Sequence, residues 1–331
     1  NYNKVGKGRK SRKLSRKRGK TMQISILLAQ QIAQLFLILI MGYAVVKAGL
    51  LKASDSKVLS VVMVYLVTPC VIINAFQIND TPEIRKGLLY SMAIAAAIHV
   101  VLLGISALLS RPLKLDAVEQ VNVIYSNAAA LVIPLVKALM GDAYVIYSCA
   151  FIIVQLVLLW THASSLLQGS SALGWKKVLT NINMIAIAAG ALLYWFRVVL
   201  PAPLQNTMST VGNMMGPMGM LLAGMAIAEK PLREVFCTRR NYLPTVLRLV
   251  VCPLVVLVLL WVCHASSWVA DGKNILMTVY LAAITPACAT VTSMAQLYDR
   301  DAAHSSALYV LTTLLSIVSM PVMIGLFDLL L

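Results

Sequence analysis

The sequence predicts an all-α polytopic membrane protein of about ten transmembrane helices, arranged as a 5+5 inverted repeat in which helices four and nine are broken where they cross. Three observations predict it. Hydrophobic residues make up 60% of the chain and charged residues 12%, with a mean hydropathy of +0.84, whereas a soluble domain carries about 25% charged residues. Ten apolar runs are each long enough to cross roughly 30 Å of hydrocarbon. Two of these runs are interrupted, at residues 127–134 (Asn-Ala-Ala-Ala-Leu-Val-Ile-Pro) and 285–290 (Thr-Pro-Ala-Cys-Ala-Thr). In each, a proline removes a backbone donor and crowds the carbonyl one turn back. Lipid cannot satisfy the freed groups, so irregular backbone at membrane depth persists only inside protein or along a cavity. A pair of interruptions at corresponding places in two halves points to a transporter's binding site.

In chain order the apolar runs lie at about 24–46, 58–79, 87–109, 118–140, 143–168, 178–200, 205–228, 241–264, 274–297 and 303–330. The first is too long for the apolar region of a cleavable signal peptide and lacks a small-residue cleavage site. Ahead of it, residues 1–21 hold ten of the 28 basic residues, and without those ten the formal net charge of +16 falls to +6. That tail reads as a disordered or non-native extension before Met22 rather than as a nucleic-acid or anionic-lipid arm. Twelve lysines and arginines fall in odd-numbered connections and five in even ones or their margins. The positive-inside rule therefore makes the odd connections cytoplasmic and puts both termini outside, in a multi-pass protein of the plasma (inner) membrane.

The runs divide into a first repeat at 22–170 and a second at 171–331, and five spans per repeat make the second copy inverted. Gly141-Asp142-Ala143 and Arg300-Asp301-Ala302 match at an offset of 159, which also carries Asn127 onto Pro286 and Ser148 onto Ala307.

The chemistry expected at the two interruptions is anion binding. Each second half-helix begins near the midplane with unsatisfied N–H groups and a positive dipole end, and two such ends converging hold an anion without a formal cation. Asn127 offers donors and an acceptor to a carboxylate, with Pro134 closing its segment. Thr285, Pro286, Thr290, Thr292 and Ser293 supply the opposing one. The plainer role for Asn127 and the threonines is to cap broken helix ends. Lys137, one turn past Pro134, either steers the anion or snorkels to the outer surface, and Arg248 reads as snorkelling toward the cytoplasm. His99, mid-span, is the candidate for proton coupling, against the commoner role of a hydrogen-bonded core histidine. Gln155 and Gln296 are placed to reach the same cavity, and His162 and His304 carry no particular expectation.

Several classes are disfavoured. All twelve acids lie in connections or near span ends, so the midplane carboxylate of a sodium/proton antiporter is missing. Met140-Gly141-Asp142 is not the Gly-x-Gly-Asp of an intramembrane protease. No Gly-x-x-x-x-Gly-Lys loop suggests ATP-driven pumping. The six cysteines show no metal spacing and read as small apolar residues. No cofactor, metal or enzymatic activity is expected.

The quoted segments, with Gly42-Tyr43, Gly49-Leu50-Leu51, Asp55, Leu66-Val67-Thr68-Pro69, Tyr125-Ser126-Asn127, Ile133-Pro134-Leu135, Pro217-Met218-Gly219-Met220-Leu221, Gly224, Tyr298-Asp299, Leu311-Thr312-Thr313 and Pro321, resemble in order and spacing the auxin efflux carrier family, which includes PIN-like and bacterial organic-acid carriers. The resemblance runs from about Gly42 to Met323. Two departures stand out: Asn181-Ile182-Asn183 where the family often has Asn-Pro, and only alanine and apolar residues between Asn127 and Pro134 where it commonly has glycine. The resemblance implies a scaffold and homodimer surface from spans 1, 2, 6 and 7, and a mobile transport bundle from spans 3–5 and 8–10. It also implies a small organic anion as substrate, either a malate- or malonate-like dicarboxylate or an auxin-like weak acid, carried by an elevator-type movement. A bile-acid-type sodium symporter is the runner-up, and a channel or sensor is the reading from another class.

Overall fold

The computed structural model describes residues 33–77, 81–169, 182–228 and 231–331, together with Gln30 and Thr180. The basic tail lies outside the described residues. Among the described residues every regular element is helical: α1 (Ala33–Lys47), α2 (Ala53–Ala75), α3 (Pro82–Ser110), α4 (Ala117–Ile124), α5 (Ala128–Met140), α6 (Val145–Gln168), α7 (Ile182–Trp195), α8 (Ala202–Ile227), α9 (Leu232–Cys237), α10 (Arg239–Val262), α11 (Gly272–Ala283), α12 (Ala289–Leu297) and α13 (Ala302–Leu330). Six of them, α2, α3, α6, α8, α10 and α13, are long and apolar enough to cross a membrane. α1 and α7 are shorter apolar helices. The fourth and ninth apolar runs each hold two short helices in place of one long one.

Local signals account for the helix starts. α3 opens with Pro82 behind Thr81, whose hydroxyl accepts the Ile84 N–H, a proline-plus-cap start. Asp116 and Glu119 form a reciprocal capping box at α4. Asp301 caps α13 through the His304 N–H at 2.7 Å. Three helices contain one wide π turn each, at Met63–Val67, Leu159–Ala163 and Leu247–Val251. The first and third end two residues before Pro69 and Pro253, so the widened turn relieves the ring's clash with the carbonyl ahead of it.

One large core joins α3–α6 to α10, α11 and α13 around Ile98, Val121, Phe151, Trp160, Tyr280 and Phe327. α7 and the first half of α8 pack on α2, whose Val64, Ile72 and Phe76 join the large core together with Ala186 of α7. α1 meets α8 backbone to backbone: a Cβ on Gly42 would strike the Leu221 carbonyl, and one on Gly224 the Leu39 carbonyl. The seam between these groups mixes small residues with large ones. Gly219 faces Ala289, Ala226, Ala295 and Ala302 pack together, and Ala223 and Ala307 lie in a cluster with Leu39, Met220, Ile227, Tyr309, Val310 and Leu311.

Candidate functional site

The fourth and ninth apolar runs meet at their non-helical centres. α4 ends at Ile124, and α5 starts at Ala128. α11 ends at Ala283, and α12 starts at Ala289. Between them the chains cross as a single antiparallel bridge centred on Ser126 and Ala287. The Asn127 N–H donates to the Pro286 carbonyl at 2.8 Å, and the Cys288 N–H to the Tyr125 carbonyl at 3.1 Å.

Buried backbone groups need partners, and the remaining groups of the crossing find them on three other helices. Gln155 of α6 lies along Ser126 like a neighbouring strand edge. Its Oε1 accepts from the Ser126 N–H (3.0 Å) and hydroxyl (2.6 Å), and its Nε2 donates to the Ser126 carbonyl (2.8 Å). Thr312 of α13 accepts the Ala287 N–H at 3.1 Å. Arg248 of α10, only 1% exposed, takes the carbonyls at the ends of the two incoming helices. It donates to Val123, Ile124, Ala283 and Thr285 at 2.6–3.1 Å. Arg248 therefore does not snorkel to the cytoplasm. The widened turn in which it sits and the cluster of freed carbonyls draw it inward instead.

Pro134 requires the second correction. α5 runs without a break from Ala128 to Met140, so Pro134 lies within the helix and the interruption falls at residues 125–127. Strand-like pairing with residues 286–288 and with Gln155 opens the chain there, not the proline. Pro286, by contrast, stands in the crossing, and its carbonyl is one of the bridging acceptors.

The other expected residues divide. Asn127 is 3% exposed, occupies the N-cap position of α5 and makes no side-chain cap. Its Nδ2 faces the Tyr309 hydroxyl at 3.4 Å. The capping role is thus absent at Asn127. Thr285 is buried, and its hydroxyl donates back to Ala282 at 3.0 Å. Thr290 is buried in the first turn of α12. Thr292 bonds Ser305 at 3.0 Å, away from the crossing. The Ser293 hydroxyl points at the Met63 sulfur of α2 at 3.1 Å, across the seam. Lys137 is exposed in the last turn of α5. His99 is fully buried against Phe151, with ring centroids 4.7 Å apart. Its Nδ1 bonds the Ala95 carbonyl at 2.8 Å, and its Nε2 has no hydrogen-bond partner.

Several polar groups at the site went unassigned in the sequence. Tyr125 bonds the Leu158 carbonyl and His162 Nδ1, both at 3.0 Å, which ties the crossing to the widened turn of α6. Glu119, 1% exposed, receives Arg240 at 2.6 Å on one oxygen and 2.5 Å on the other, with His304 Nε2 at 3.6 Å. This cluster anchors the N-terminal end of α4 to α10 and α13. Charge pairing across more than 100 residues leaves no local pattern to read.

What remains open at the crossing is a pair of helix N-termini. α5 and α12 start from opposite ends of one bridge, where Asn127 faces Pro286 and Cys288 faces Tyr125, and neither Asn127 nor Cys288 forms a side-chain cap. The first-turn N–H groups of a helix lack the usual partner four residues back; in α12 the Val291 N–H turns to the Cys288 carbonyl at 3.1 Å, and the positive dipole ends of α5 and α12 lie at the two ends of the buried bridge.

The membrane transport protein family profile matches residues 27–176 and 170–324. The chain belongs to this family. It is a multi-pass membrane protein of the auxin efflux carrier type that its motifs resemble. Among curated proteins, comparison finds no match. Membership in the membrane transport protein family assigns the broad activity, transport.

Proposed function

We propose that this membrane transport protein is a secondary carrier of small organic anions at the plasma membrane, with the crossing of residues 125–127 and 286–288 as its substrate site. The observation that carries the proposal is that α5 and α12, neither closed by a side-chain cap, both start from the one buried bridge that contains Asn127. Such ends bind carboxylates through backbone N–H groups and dipole. Selectivity among malate- or malonate-like dicarboxylates and auxin-like weak acids then falls to the shape of the surrounding apolar wall.

In this reading the chain is a 5+5 inverted repeat of ten spans with both termini outside, spans four and nine being the helix pairs α4–α5 and α11–α12. Two features support that pairing. Gln155 on the helix after α5 serves Ser126, and Thr312 on the helix after α12 serves Ala287, so each break is completed by the next helix of its own half. α1, α2, α7 and α8 are the scaffold and homodimer surface, and α3–α6 with α10–α13 form the moving bundle. The crossing is buried, with Thr285 at 0% and Asn127 at 3% exposure, so the anion reaches it only when one group of helices shifts. The part of the seam where Gly219 meets Ala289 and where Ala226, Ala295 and Ala302 pack together suits sliding, because small side chains interlock less than large ones. Elevator-type alternating access is the movement this reading calls for.

The test is counterflow into proteoliposomes preloaded with malate, malonate or an aromatic weak acid, for wild type and Asn127→Ala. Saturable exchange that drops at least about tenfold in the variant is expected, as for loss of one good hydrogen bond to a charged group, about 1.5–3 kcal/mol. Folded protein that exchanges none of these acids, or passes them without saturation, sinks the carrier reading in favour of a channel or sensor.

A further inference from the structure

Arg248 presents a combination the carrier reading does not use. A guanidinium has five N–H donors and no acceptor, and here all five are engaged. Nε donates to Thr285 O (3.1 Å), Nη1 to Val123 O and Ile124 O (both 3.1 Å), and Nη2 to Ala283 O (2.6 Å) and Thr285 O (2.9 Å). Every partner is a backbone carbonyl and none is a carboxylate. The four carbonyls belong to the C-terminal ends of α4 and α11, the negative dipole ends of the two interrupted runs. A charge this deeply buried needs a compensating partner, and a cage of carbonyls from two helix ends is what the fold provides. In transporters with broken helices, half-helix C-termini and unwound carbonyls of this kind hold the coupled sodium ion.

We propose that Arg248 is a resident cation, filling with a tethered guanidinium the carbonyl cage in which a sodium-coupled carrier would hold its metal ion, so that this chain binds and moves its anion without sodium at the crossing. The arrangement also explains the uncapped N-termini on the other side. The C-terminal carbonyls of both runs are neutralised by Arg248, while the N–H ends of α5 and α12 stay available to an anion. A neutral hydrogen-bonding side chain could satisfy one or two of these carbonyls but not four at once. The planar, always-charged fork does so from a single position. The widened turn at Leu247–Val251 is what sets its root there.

The transport half of this proposal rests on the carrier reading; the cage itself does not. The experiment therefore begins with thermal melting of the purified protein in detergent, at constant ionic strength, in sodium chloride against choline chloride. Wild type is expected to melt at the same temperature in both. Arg248→Lys and Arg248→Met, matched in length and differing in charge, are then melted with and without millimolar sodium or guanidinium. Lysine is expected to retain more of the wild-type stability than methionine, and the methionine variant to recover saturably with guanidinium or sodium and not with choline. A saturable sodium stabilisation of wild type would overturn the proposal. So would equal destabilisation by lysine and methionine with no recovery by either cation. Where neither variant folds, the wild-type sodium comparison still decides. In proteoliposomes, equal wild-type exchange in sodium and choline supports the proposal and a sodium requirement refutes it. A lack of exchange in both salts counts against the carrier reading alone, since melting reads the cage without any substrate.

Discussion

Replacing Gln155 with leucine isolates what holds the crossing open. Leucine has nearly the same volume, so little cavity is created, but three buried hydrogen bonds to Ser126 disappear. Two effects of different size compete. Side-chain hydrogen bonds between membrane helices average only about 0.6 kcal/mol, with a maximum near 1.7, because the unfolded state in the membrane also finds partners. Leaving a buried backbone N–H or C=O unpaired costs about 1–3 kcal/mol each. In an intact helix the backbone would keep its own bonds, and the smaller figure would rule. Ser126 is extended, and Gln155 serves both its N–H and its carbonyl, so the larger cost applies. Gln155→Leu should therefore lose about 2–6 kcal/mol. Ser126→Ala, which gives up only the hydroxyl bond at 2.6 Å, should lose about 0.6–1 kcal/mol. SDS-induced unfolding followed by circular dichroism measures both in one series, and counterflow on the same samples should fall far more for the leucine variant. Equal losses in the two variants would refute the reasoning, because Gln155 would then be one more interhelical polar contact and not the partner that keeps residues 125–127 out of the helix.

Two further outcomes follow from the packing. Alanine at Gly42 or Gly224 drives a methyl group into the facing backbone carbonyl of the α1–α8 contact. Overpacking of this kind costs about 1–3 kcal/mol, and a melting curve for Gly224→Ala that overlays wild type would mean the two helices do not meet there. Lys57 of α2 pairs with Asp299, beyond the end of α12, at 2.7 Å across the seam. Both groups are exposed, so Lys57→Ala should change stability by less than about 1 kcal/mol. A short cross-link between cysteines at positions 57 and 299 should nevertheless stop exchange, and full-rate exchange in cross-linked protein would argue against relative motion of the two helix groups.

Much of this protein is legible in the chain alone, for physical reasons that act locally. Long apolar runs and a scarcity of charge leave helices in a membrane as the available solution, because lipid offers the backbone no partners. Family motifs spread from Gly42 to Met323 agree with the profile match. An asparagine or a Thr-Pro pair inside such a run is locally conspicuous, which is why both segments of the crossing could be marked from the sequence. Their construction could not. Pro134 looked like the breaking residue, yet membrane helices accommodate proline when neighbouring groups take up the freed carbonyl, and α5 continues through it. The break arises from Gln155, 29 residues beyond Ser126, and from Pro286 and Cys288 on the other run. Arg248 shows the same limit. Its depth in the tenth helix can be counted from the sequence, but its direction depends on where the carbonyls of Val123 and Thr285 come to rest, more than 30 residues away on either side. Hydrophobicity is a property each residue carries with it, so the sequence determined which segments enter the membrane and where their regularity is threatened. Hydrogen-bond satisfaction is a property of pairs, and only the tertiary structure decided which groups meet to make the interruption stable.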